Sequence, residues 1–377
     1  MKESFLFRDS PPLPIEVVSS KGNYLFDKNG KKYLDFTMGW CVGNAGWGKK
    51  EIRAAVKKFT GPEYVSPTYQ YARWEVLAEK LVSLLPSKDY TCFKATGGTE
   101  AVEVALKTAK AFNHRNKFIA FKEAYHGQSF ACMSLVKLAD HEKHFGPFSE
   151  NFIQINAGDW EKTTQTTVEL IEKKNICAFI CEPIICNLGV VVPPKSFFQA
   201  VYKVCKETNT VFIVDEVATG FGRTGKCFGF EHHNIEPDII TIAKGMSSGY
   251  GAIGATIVKR EIAEGMRFDF SNYSTFGWHP FATESAIANI DYLKKNKLIE
   301  KSAKSGAYFA KQLATFCKPE GKGLCIGFTQ KKSDFVSRCE KDGLLISALG
   351  ERVVLFPALD VSKKEIDKAV KIMKKNF

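Results

Sequence analysis

Apolar and polar positions change their period along the chain. Near the start, Tyr24-Leu25-Phe26 and Tyr33-Leu34-Asp35-Phe36 flank the turn-forming run Asp27-Lys28-Asn29-Gly30-Lys31, a pattern that predicts a β-hairpin. Helical spacing of apolar residues follows over 50–59 and more strongly over 73–85. From about residue 90, short apolar runs at 91–95, 117–121, 178–182, 211–215, 239–242 and 254–258 alternate with helix-length segments. That alternation predicts an α/β fold, a large and mostly parallel sheet with helices on both faces. Helices are predicted at 281–297, 300–316 and 333–342, with strands at 323–328 and 352–356. This last third reads as a smaller α+β unit shared with the amino-terminal hairpin. The expected division is a large domain over 46–278 and a small one from 1–45 and 279–377.

Composition narrows the class. A chain of 377 residues exceeds what one hydrophobic core usually supports, and 45% apolar with 25% charged residues is ordinary for a globular protein. The most apolar stretch, 175–194, is broken by Glu182 and Pro183, so no membrane span is expected. Met1-Lys2-Glu3-Ser4 lacks the pattern of a secretory signal, and eleven cysteines without a regular framework suit a reducing cytoplasm. Cys177, Cys181 and Cys186 fit no zinc-ribbon spacing and read as buried thiols of a core strand, so no metal is expected. Net charge is +12. The lysine-rich tail from Lys363 to Lys375 alternates with Ile366, Val370 and Met373, the wet face of an amphipathic helix rather than a nucleic-acid surface.

Candidate chemistry lies at strand ends. Residues 211–214 run into Asp215-Glu216, and carboxyl ends of parallel strands are where open α/β sheets hold ligands. The Gly220-Phe221-Gly222-Arg223-Thr224-Gly225 run matches a dinucleotide fingerprint formally, but a Gly-broken aromatic run follows where that fingerprint needs a helix. The run Ile239-Ile240-Thr241-Ile242-Ala243 leads into Lys244, whose amine, desolvated in a crevice, becomes nucleophilic toward an aldehyde. Upstream, Gly97-Gly98-Thr99 opens a helix over 101–112, a phosphate cradle of free amides, and Tyr125-His126-Gly127 supplies a ring at the same sheet edge. Cradle, ring, strand-end acid and strand-end lysine together fit pyridoxal 5′-phosphate.

These residues also carry a resemblance. The elements Gly97 to Ala101, Tyr125 to Gly127, Asp215 to Gly225, Lys244 and Ser274 to Gly277 resemble, in order, the motifs of class III aminotransferases of pyridoxal phosphate fold type I. The resemblance implies a ping-pong transfer of an amino group from an amine or amino acid to an oxo acid. Lys244 would bond to the cofactor and shuttle the proton, and Asp215 would hold the pyridine nitrogen. Val217 and Tyr125 would cover the ring faces beside His126, and Gly98 and Thr99 would bind the phosphate, helped by Thr275 of a partner subunit. Glu182 matches a family acid near the substrate. A homodimer is implied.

Departures bear on the substrate. Gln128 and Val354 stand where much of the family has Arg, and Asn187 where it has Glu, so the usual 2-oxoglutarate clamp is in doubt. Ala218 replaces a common Gln. Arg352, two residues from Val354, is a candidate displaced clamp, and Trp40, in a Trp-Cys-Val-Gly-Asn-Ala-Gly run similar to the ω-amino acid:pyruvate branch, is a candidate pocket wall. The alternative on the same fold is an amino acid racemase, epimerase or aminomutase.

Overall fold

The predicted apolar runs become the strands of one seven-stranded sheet: β1 (Tyr90–Ala95), β2 (Lys117–Phe121), β3 (Phe152–Ile155), β4 (Ile176–Cys181), β5 (Val211–Asp215), β6 (Ile239–Ile242) and β7 (Gly254–Lys259). The computed structural model describes Leu6 and residues 13–377; residues 1–5 and 7–12, assigned above to the small domain, lie outside the described residues. Every residue of β4, β5 and β6 is buried, as the near-continuous β-branched and aromatic runs require of strands covered by helices on both faces.

Strand order is β1-β7-β6-β5-β4-β2-β3. Pairings from β3 to β6 are parallel, but β7 is antiparallel to both β6 and β1. The cause is connection length. A parallel crossover needs a dozen or more residues and usually a helix, whereas the link from Ile242 to Gly254 holds only a short 3₁₀ turn at Lys244–Met246. Because β7 reverses, β1 and β6 run the same way, and the carboxyl ends of β1, β2, β4, β5 and β6 share one edge.

Two smaller sheets complete the fold. Val17–Lys21, Tyr24–Asp27 and Lys32–Asp35 form the predicted hairpin region, and Leu344–Leu345 adds to it in parallel beside Leu34 and Asp35. Glu320–Lys322, Cys325–Thr329, Arg352–Leu355 and Ser347–Leu349 make an antiparallel sheet. The last helix, Lys363–Asn376, starts at a Ser362/Glu365 capping box and buries Ile366, Ala369, Val370 and Met373, leaving its lysines exposed. Among the described residues, no helix is long and apolar enough to cross a membrane.

A buried arginine ties these layers together. Arg223 is fully enclosed and donates from Nη1 to the Leu324 and Pro357 carbonyls at 3.1 and 2.5 Å, and from Nη2 to Asn44 Oδ1 at 2.7 Å. Arg223→Ala would leave these acceptors unpaired around a cavity, so equilibrium denaturation should show a loss of about 3 kcal/mol or more.

Candidate active site

Five strand ends meet at one cavity of about 430 Å³. The segment after β1 supplies Gly98 and Thr99, that after β2 supplies Tyr125, His126 and Gly127, and that after β4 supplies Glu182, Cys186 and Asn187. Asp215 ends β5 and is followed into the wall by Val217 and Ala218, Lys244 follows β6, and Trp40 closes one side. Convergence at the carboxyl edge is the expected place for a ligand in such a sheet.

Local chemistry explains why each side chain is held there. Asp215 is buried; its Oδ1 accepts from Val217 N and Thr241 Oγ1, each at 3.0 Å, and its Oδ2 lies 2.7 Å from His126 Nδ1. The carboxylate is therefore fixed in direction, and His126 Nε2, buried and without a partner, lies on the ring's opposite side. Lys244 has φ +30°, and the turn carrying it is pinned by Asn289 Nδ2, which donates to the Gly245 and Met246 carbonyls at 2.9 and 3.0 Å. Trp40 projects from a left-handed turn in which Met38, Gly39, Trp40 and Cys41 have φ of 44°, 59°, 58° and 66°. Three of these four carry a Cβ, a costly conformation that persists when its surroundings over-determine it and is found preferentially at functional sites.

The cradle depends on missing side chains. Gly97 caps the helix Gly98–Asn113 without a side chain, so no cap claims the first-turn amides. A Cβ on Gly98 would meet Val217 Cγ1 at 3.0 Å; one on Gly127, where φ is +128°, would meet Thr99 Oγ1 at 2.6 Å. A glycine-lined helix start, a buried directed carboxylate, a lysine and two unpartnered buried polar atoms fit a phosphorylated aromatic aldehyde. Among the described residues no cluster of three or more His, Cys, Asp or Glu could hold a metal ion.

Glu182 supplies the second unpartnered atom. Its Oε2 accepts from Cys186 N at 3.1 Å while its buried Oε1 has no partner. Burial pushes its carboxyl up to about 7, with the nearby Asp215 charge adding to the effect. Glu216, which accepts from Phe230 N at 2.8 Å and Thr219 Oγ1 at 2.6 Å, is pushed up to about 7 by burial as well. An unfolded chain releases these protons near the ordinary 4.5, so between pH 4.5 and 7 the folded protein binds more protons and stability falls as pH rises. Each carboxyl contributes roughly 3 kcal/mol to that fall. Glu216→Gln should flatten it, measured as a smaller difference between urea midpoints at pH 5 and pH 8.

Three sequence candidates do not line the cavity. Gln128 is exposed, and its backbone amide donates to Thr99 Oγ1 at 3.4 Å. Thr275 is exposed on the segment before Trp278. Arg352 is committed elsewhere: its Nε and Nη2 donate to the Gly189 carbonyl at 3.1 and 2.8 Å, and Nη2 pairs with Glu320 at 2.9 Å. Cys186 corrects the reading of the three clustered cysteines. Cys177 and Cys181 lie in β4, but Glu182-Pro183 ends the strand and Cys186 turns into the cavity wall. Pro183 was the available signal, since proline does not continue a central strand.

A family model described as aminotransferase class-III matches residues 6–377. The chain belongs to the class III aminotransferases. It is 34% identical to the acetylornithine aminotransferase of Archaeoglobus fulgidus over 95% of this chain and 94% of that one. A Bacillus anthracis aminotransferase superposes with a TM-score of 0.93 at 29% identity, covering 99% and 96% of the two chains. An amine transaminase from an uncultivated Pseudomonas species, solved in its PLP-bound form, gives a TM-score of 0.91 at 25% identity over 100% and 98%. As a class III aminotransferase, this enzyme is pyridoxal phosphate-dependent and adopts the fold type I architecture.

Proposed function

We propose that the cavity is the transamination site, with Lys244 and Asp215 as its central pair. Bound pyridoxal phosphate supplies an aldehyde that accepts the amino group and a protonated pyridine ring that draws electrons from the substrate carbon. Lys244 Nζ would hold the aldehyde end and, as a free amine, would take and return the proton of the substrate carbon. Asp215, directed by Thr241 and His126, would keep the proton on the ring nitrogen. Gly98 and Thr99, at the helix start, would bind the phosphate, Val217 and Tyr125 would cover the ring, and Glu182 lines the same cavity. The presence of Lys244 and Asp215 in one cavity beside the glycine cradle carries this reading.

The enzyme takes an amine or amino acid donor and an oxo acid in alternation. It works as a homodimer in the cytoplasm, with Thr275 of the partner subunit completing each phosphate site. Dimerisation is supported by the exposed aromatic residues around Thr275, Phe268, Phe270 and Phe276, with Tyr64 and Tyr69 near them in type and exposure. Eleven unbridged cysteines support a reducing compartment. Pairing of Leu344 with Leu34 supports a small domain built from 1–45 and 279–377 around the large domain 46–278. The test is visible absorption of the cofactor-loaded protein titrated with a panel of amines. A lysine–cofactor band that bleaches with a donor is expected; no band with excess cofactor would defeat the reading.

A further inference from the structure

A small apolar cluster, separate from the main core, backs the active-site cavity. Trp40 packs onto it, its ring centroid 5.4 Å from that of Phe356, and three of its buried members are cysteines: Cys41, Cys186 and Cys325. Cys186 also lines the cavity. Its Sγ lies 3.7 Å from that of Cys325, and both thiols are free. The backbones already bring the two together. Cys325 and Gly327 point to the same side of the strand Cys325–Thr329, and on that side the turn after Cys186 presses on Gly327, where a Cβ would meet the Gly189 carbonyl at 2.4 Å. Arg352, on the neighbouring strand Arg352–Leu355, clamps the same carbonyl through Nε at 3.1 Å and Nη2 at 2.8 Å. Disulfide sulfurs stand about 2.05 Å apart, so a small movement of the clamped turn closes the bond.

Cys186 also differs from the other thiols of its segment. Cys177 and Cys181 lie inside the fully buried β4, whereas Cys186 faces a space that a peroxide can enter. The contact with Cys325 and burial push the Cys186 thiol well above its ordinary range, so it rests neutral. Arg223 opposes this. Its buried Nε has no partner, burial holds the guanidinium below its usual range, and negative charge on Cys41, Cys325 or Cys186 raises it again. A thiolate formed here therefore meets a cation, the setting in which cysteines are oxidised. We propose that Cys186 and Cys325 are a modification site at which a peroxide closes a reversible disulfide, drawing the cavity wall back and slowing the enzyme. The Cys186 sulfur attacks one peroxide oxygen and the O–O bond breaks; the other oxygen leaves with a proton as water, and Cys186 becomes a sulfenic acid. The Cys325 sulfur then displaces that hydroxyl, which leaves with the Cys325 proton as a second water. The thiols lose two electrons and the peroxide gains them. Closure shifts Cys186, whose amide donates to Glu182 Oε2 at 3.1 Å, and with it Asn187, whose Nδ2 donates to the Glu123 carbonyl at 2.9 Å. Small thiols reopen the bond by exchange. The slowing rests on the active-site reading above; the bridge does not.

Cofactor-loaded enzyme is treated with a modest excess of hydrogen peroxide, remaining thiols are blocked, and a digest is read by mass spectrometry beside transaminase activity. A peptide joined through Cys186 and Cys325 should appear while activity falls severalfold in step with the bridged fraction, and dithiothreitol should reverse both. Cys325→Ala should form no bridge, and its Cys186 should be trapped by dimedone as the sulfenic acid. Recovery of Cys186 and Cys325 as free thiols, or pairing of Cys186 with Cys41, overturns the proposal, as does a bridge that leaves activity unchanged. Absence of turnover before treatment would overturn the active-site reading instead, with the bridge still judged by mass. Because the bridge is read in the native chain, the result does not depend on the variant folding.

Discussion

Lys244→Ala is expected to abolish the lysine–cofactor absorption band and to lower turnover by at least about 10⁴-fold, since one residue supplies both the covalent anchor and the proton shuttle. The fold should survive. The turn is pinned through backbone carbonyls by Asn289, and alanine asks nothing more of the φ of +30° than lysine does. Cofactor should still bind without a bond to the protein, because Gly98, Thr99 and Asp215 remain, so dialysis should remove it faster than from the native enzyme. Small primary amines should restore a fraction of the proton transfer in the space vacated by the side chain. Measurement is by steady-state turnover with a donor identified by the spectral titration, alongside the spectrum of the variant. Sustained multiple turnover by Lys244→Ala without added amine would show that another group does this work.

The second large effect is expected at Asp215. Asp215→Asn preserves size and keeps an oxygen for Val217 N and Thr241 Oγ1, but removes the charge that holds a proton on the ring nitrogen. Loss of a preorganised charge at a buried site costs catalysis more than binding, so kcat should fall by about 10³-fold with KM changed far less. The new amide would also face His126 Nδ1, which now lies 2.7 Å from a carboxylate oxygen, and the ring must change tautomer or rotate. An unchanged far-ultraviolet spectrum with collapsed kcat is the expected pair of results. Near-native kcat would mean that the wrong acid has been assigned.

Strand positions were legible because the central runs are buried on both faces and therefore apolar throughout: β2, β5 and β6 fall on the predicted residues. β3 was not. It is a four-residue edge strand whose Phe152, Ile153 and Gln154 are only half-buried, too short to show a period. The antiparallel run of β7 was likewise hidden, since residue types in a buried strand do not record direction; the short link before it did. Of the cavity residues, Lys244, Asp215, Gly98, Thr99 and Tyr125 were readable because each follows a recognisable apolar run. Cys186 was absorbed into a core reading, and Arg352 was put near the site by strand alternation from Val354, whose place came from the resemblance. Its actual partners, Gly189 and Glu320, are 163 and 32 residues away in sequence, a distance that no local pattern spans.

The pairing of Leu34 with Leu344 and the hold of Arg223 on Pro357 set an order of events during synthesis. Until the segment from Leu344 to Pro357 has been made, the central sheet, the lysine and the acid are already in the chain, but the wall behind Trp40 is not. Phe356, whose ring packs on Trp40 at 5.4 Å, and the buried Val354 must emerge before that wall has a back, and until then the left-handed turn at Met38–Cys41 is held through near neighbours such as Asp35 Oδ1, which accepts from Met38 N at 2.9 Å, without its apolar backing. A nascent chain stalled short of Phe356 should therefore hold a partly formed sheet without a working pocket, a built-in delay between having the reactive residues and being able to use them.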